Sequence, residues 1–138
     1  MIDYTLILHP ILVILAGLAG LQDWRTGEVT DWITWPLFIA GGMAAIAKAV
    51  RLDFLPLTIS IFFLVIWYFN WMGGADVRVL IGLWGLWPLA GFLALVTTGV
   101  WGLILVLRRR GKERIPALVT IAIATCLTFL AEFARMVV

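Results

Sequence analysis

The chain has 138 residues, of which 64% are apolar and 13% charged, against roughly 45–50% and about 25% in a soluble domain; this composition argues against a soluble protein. A net charge of +2, set by loop arginines rather than by a basic face that could track phosphates, excludes nucleic acid as a partner. The one cysteine, Cys126, can neither close an internal disulfide nor build a thiolate cluster for zinc, so redox and structural-metal chemistry are excluded too.

Six helices of about 20 residues need about 120 residues, so one bundle of five or six spans fills the chain and leaves no second domain. The first apolar run, residues 6–21, follows Asp3 rather than a basic segment and reads as a retained span, not a signal peptide. His9 lies in it beside Pro10, as a bonded bundle residue. Asp23 closes the span, and Arg25, Glu28 and Asp31 follow in a polar link, the last two as solvated charges. Residues 32–50 and 54–71 form the second and third runs. Gly17, Gly20, Gly41 and Gly42 suit helix packing through small residues. The fourth run, 77–107, would reach about 46 Å as one helix, well beyond a hydrocarbon core of about 30 Å, and Pro88 lies near its middle. It therefore divides into a short fourth helix, 77–87, and a fifth, 89–107. Residues 115–133 form the sixth, with Glu132 and Arg135 spaced to pair locally.

Six spans place Arg25, Arg78, Arg108, Arg109, Arg110, Lys112 and Arg114 on one face and only Lys48, Arg51 and Arg135 on the other. The positive-inside rule then puts the first group in the cytoplasm and both termini outside. Five spans would divide the same charges equally. Trp24, Trp32, Trp35 and Trp71 fall near the inner boundary and Trp84 and Trp87 near the outer one, as amphipathic rings should; Trp67 and Trp101 read as packing residues.

The informative residues are two carboxylates, Asp23 at the end of the first helix and Asp76 at the start of the fourth. Ionisable groups at membrane depth are costly and mark functional sites. Taken singly, Asp23 could be a solvated loop residue and Asp76 an N-cap. Together they are harder to dismiss, because Asp23 faces the negative end of its helix dipole and is badly placed for stability. Two adjacent carboxylates cannot both ionise easily, and one shared proton lets the pair act as base toward water and acid toward a leaving amine. Gly73-Gly74-Ala75, just before Asp76, suits an irregular wall against which a substrate backbone can lie.

Residues 23–32, Asp-Trp-Arg-Thr-Gly-Glu-Val-Thr-Asp-Trp, resemble a pattern found in the type IV prepilin peptidases. That pattern is an Asp, a basic residue two on, and an Ile/Val-Pro-Asn/Asp step into the second span. Residues 73–78, Gly-Gly-Ala-Asp-Val-Arg, resemble the same family's Gly-x-Gly-Asp motif with its following hydrophobic and basic residues. Thr30 stands at the family's proline position and Ala75 at the second motif glycine; Ile115-Pro116 is similar to a proline step at the last span. These proteins are membrane aspartyl proteases, archaeal preflagellin peptidases and small single-function bacterial pilin peptidases among them.

The resemblance implies that Asp23 and Asp76 are catalytic, and Gly73 matches its first motif glycine. The residues themselves read Gly73, Gly74 and Ala75 as the substrate-binding wall, and Arg25 and Arg78 first as anchors to anionic headgroups and alternatively as residues that tune the pair, with no metal and no cofactor. The expected protein is an all-α integral membrane bundle of six transmembrane helices, the fourth short, forming one peptidase domain over residues 1–138. Its expected substrates are prepilins or preflagellins with a basic leader and an apolar helix, cut at the cytoplasmic face of the cell membrane. Larger members also methylate the new N-terminus and carry a four-cysteine zinc domain; this chain has no room for that domain, which points to a peptidase only. The competing readings are a small proton- or cation-coupled transporter, which would favour carboxylates at the midplane, and a non-catalytic pilus assembly subunit.

Overall fold

A computed structural model describes residues 5–107 and 117–137. The arginine-rich segment 108–114 and Ile115-Pro116 lie outside the described residues. Among the described residues six helices follow one another: α1 (Thr5–Thr26), α2 (Asp31–Val50), α3 (Leu55–Tyr68), α4 (Gly74–Leu86), α5 (Pro88–Leu107) and α6 (Ala117–Val137). No strand occurs among the described residues.

Each boundary has a local cause. α1 stops at Gly27, whose φ of 71° is left-handed and whose N–H donates to the Asp23 carbonyl at 2.9 Å. α3 stops where Asn70, φ 55°, turns the chain, with Asn70 and Trp71 N–H groups donating to the Trp67 and Ile66 carbonyls at 2.9 and 3.1 Å. α4 and α5 are separated by Trp87 alone, because Pro88 has no N–H to continue the ladder and instead begins the next helix. The break frees the Gly85 carbonyl, and Lys48 Nζ donates to it at 2.8 Å, a cation at a helix C-terminus. The fourth apolar run thus divides at Pro88 as expected, although α4 begins three residues earlier, at Gly74.

Side-chain contacts fix how the helices run. α2 and α4 are parallel: Asp31 pairs with Arg78 near their starts, and Lys48 reaches Gly85 near their ends. Between these points the two backbones nearly touch, since a Cβ on Gly41 would stand 2.6 Å from the Ile81 carbonyl oxygen and one on Gly82 would stand 2.8 Å from that of Leu37. α1 and α6 run antiparallel, joined by His9 with Glu132 and by Gly20 against Leu118 and Ala122. α5 and α6 are antiparallel as well, linked by Thr98 and Thr120 hydroxyls 2.7 Å apart. α4 is the core of the bundle, its residues from Val77 to Gly85 buried apart from Arg78. Buried hydroxyls of Ser60, Thr125 and Thr128 donate to carbonyls four residues back in their own helices.

α1, α2 and α6 are long and apolar enough to cross a membrane, over Ile7–Thr26, Asp31–Val50 and Ala117–Arg135. α3 and α4, at 14 and 13 residues, rise only about 20 Å. Outward-facing side chains are apolar along whole helices, Ile7, Ile11, Ile14, Leu18 and Leu21 on α1 among them, a surface that requires a cover. Two expectations about rings and charges change. Trp84 and Trp87 pack inward, 7% and 4% exposed, rather than lying at a boundary. Glu132 turns away from Arg135 and bonds His9 Nδ1 at 3.1 Å and Trp87 Nε1 at 3.0 Å, while the His9 and Trp87 rings stack at 4.0 Å.

Candidate active site

The parallel and antiparallel pairings bring the end of α1, the start of α2, the end of α3 and the start of α4 to one end of the bundle. Asp23 and Asp76 are therefore at the same end, Asp23 in the last turn of α1 and Asp76 in the first turn of α4, both half-buried. α1 packs principally on α6, and α4 principally on α2. The N-cap of α4 is Gly73, φ −61° and ψ 141°, so Asp76 is not the cap but the third helical residue, where the helix dipole favours an acidic side chain. Its carboxylate leans back over the helix start: a Cβ on Gly73 would stand 3.0 Å from Asp76 Oδ2.

The glycines act by close approach rather than by left-handed backbone. In this turn the positive φ belongs to Asn70, whereas Gly74 is helical and a Cβ there would stand 3.1 Å from Trp67 Nε1. Ala75 is partly buried against the core.

Of the two arginines, Arg25 is exposed and lines an outer groove of about 270 Å³ between α1 and α2 with Leu18, Leu21, Gln22 and Trp32. Arg78 is held. Its guanidinium donates to Asp31 Oδ1 and to Thr34 Oγ1 at 3.3 Å, and it lies 4.7 Å from the Trp35 ring centroid and 6.0 Å from that of Trp67. Asp31 is 71% exposed, so the ion pair contributes under about 1 kcal/mol, and the aromatic contacts add about 0.5–1 kcal/mol each.

Around Arg78, Asp31 is an ion-pair partner rather than only a solvated charge, Trp35 and Trp67 are ring contacts rather than only a boundary ring and a packing residue, and Thr34 is an acceptor that reasoning from sequence missed. For the three on α2 the signal was spacing: Asp31, Thr34 and Trp35 stand at i, i+3 and i+4, one face of a helix. The link 27–30 is ordered by Gln22, whose Oε1 accepts from the Thr30 N–H at 3.1 Å and the Thr30 hydroxyl at 3.0 Å.

No protein-family model, no curated protein and no solved structure matches the chain.

Proposed function

We propose that the chain is a membrane-embedded aspartyl endopeptidase that removes the basic leader from type IV prepilin or preflagellin substrates. The observation that carries this reading is the convergence of Asp23 and Asp76 at one end of the bundle, from the last turn of one helix and the first turn of another, beside glycines that allow close approach. In this reading one carboxylate takes a proton from water as it attacks the scissile carbonyl, and the other gives a proton to the departing amine. The substrate's apolar helix lies against the bundle and delivers the preceding segment to the pair. Six spans, a cytoplasmic site and external termini belong to the same proposal; the apolar outer surface and the distribution of basic residues support them. α4 is then a buried partial span, which a short helix can be when neighbours cover it, and α3, also short, keeps an apolar outer face with Leu55, Ile61, Phe62 and Val65 exposed.

The test is leader cleavage by Asp23→Asn and Asp76→Asn in membranes, against wild type, with a pilin bearing a basic leader. Both variants are expected to accumulate folded and to lose cleavage alike, since neither retains a pair able to pass a proton. Processing near the wild-type rate by either one refutes the aspartyl mechanism.

A further inference from the structure

The first turn of α4 is held from neighbouring helices as well as from within. Gly73 offers no side chain to cap the free N–H groups, and the chain from residue 69 to 73 is non-helical. Neighbouring helices add to the hold on the turn: Trp67 of α3 lies over Gly74, and the Arg78 guanidinium lies 4.7 Å from the Trp35 ring centroid of α2 and 6.0 Å from that of Trp67 of α3 while bonded to Asp31 and Thr34 of α2. One planar cation thus joins α2, α3 and α4 at the end where Asp76 sits. An arginine serving lipid headgroups would extend outward, whereas the Arg78 side chain is 17% exposed. Residues 76 and 78 lie about 200° apart around a helix, so the clamp grips the side of the turn away from Asp76.

We propose that Arg78 is a positioning residue for Asp76: clamped between Trp35 and Trp67 and tied to Asp31, it fixes the rotation of α4's first turn and with it the direction of the Asp76 carboxylate. Planarity is essential to this role, because a guanidinium both stacks on rings and forks toward oxygen acceptors, and a lysine ammonium does neither in the same geometry. The catalytic consequence rests on the endopeptidase reading; the clamp itself does not.

The experiment compares Arg78→Gln, Arg78→Lys, Asp31→Asn and the double variant Asp31→Asn/Arg78→Gln. One readout is the Asp76 infrared band, assigned as the band missing from Asp76→Asn; the other is steady-state leader cleavage. Arg78→Gln is expected to move the Asp76 band and to lower kcat about tenfold or more with KM within about twofold, the pattern of a misaimed catalytic group. Arg78→Lys should recover only part of both changes, and the double variant should be no worse than Arg78→Gln alone, because one interaction is being removed twice. Should Arg78→Gln fail to accumulate, Arg78→Lys and Trp67→Phe provide the same comparison. A folded Arg78 variant whose Asp76 band and kcat match wild type overturns the proposal, as do additive losses in the double variant. Wild-type protein that cleaves no leader refutes the endopeptidase reading instead, and the band comparison still decides the clamp.

Discussion

Gly73 and Gly74 are adjacent, yet a methyl group added to each meets a different neighbour. At Gly73 it would stand 3.0 Å from Asp76 Oδ2, and at Gly74 3.1 Å from Trp67 Nε1; both separations are short enough that the neighbour must shift. Gly73→Ala should therefore displace the Asp76 carboxylate itself, lowering kcat about 10- to 100-fold with little loss of thermal stability, since Gly73 is exposed. Gly74→Ala should act through Trp67 and so cost less in a Trp67→Phe background, whose smaller ring gives way, than in the wild-type background, whereas Gly73→Ala should cost as much in either. Cleavage rates of the four variants, each against its own background, decide the matter, and relief of both glycine variants, or of neither, contradicts the geometry. The sequence marked this pair as site-shaping, but it could not say which neighbour each glycine accommodates. That depends on a tryptophan brought over from the preceding helix.

At the level of helices, the contact that sets the site is the crossing of α2 and α4. Gly41, Gly82 and Gly85 let the backbones meet, and this carries the start of α2, with Asp31 and Trp35, alongside the start of α4. The glycine-rich helices were legible in the sequence as packing elements, and Pro88 as the break in the fourth run. The packing partners were not legible, because a small residue does not show which face of its helix is covered. Gly17, Gly20, Gly41 and Gly42 read alike, yet a Cβ would meet nothing within 4 Å at Gly17 and Gly42 and would collide at Gly20 and Gly41. Gly41→Ala should accordingly destabilise the bundle by about 3 kcal/mol or more, the upper end of overpacking costs, because backbone cannot move aside as a side chain does. Gly42→Ala should be neutral or stabilising by about 0.5–1 kcal/mol from helix propensity. Thermal unfolding of the two variants in detergent checks this, and equal midpoints would show that the crossing is not the tight contact described.

For the whole molecule, the question is which residues share an end. The pairings of α1 with α6 and of α5 with α6 place the end of α5 and the start of α6 at the Asp23 and Asp76 end. The sequence groups Arg108, Arg109, Arg110, Lys112 and Arg114, which lie outside the described residues, with Arg25 and Arg78 on one expected face. The opposite end carries Lys48 bonded to a carbonyl and the His9, Trp87 and Glu132 cluster, contacts that hydropathy alone could not reveal because they join residues 37 or more positions apart. If the bundle spans a membrane, basic loops are retained in the cytoplasm, and the aspartates go with them. Single cysteines placed at Glu28 and at Gly111, in a Cys126→Ser background, should then both resist a membrane-impermeant thiol reagent in intact cells and react after permeabilisation. A cysteine at Asp53, in the exposed α2–α3 turn, should react in intact cells. Opposite behaviour of positions 28 and 111 would mean that an odd number of crossings separates them, which this helix arrangement forbids; matched labelling of both from outside would keep the arrangement and invert its orientation, removing the aspartates from the side on which a basic leader awaits export.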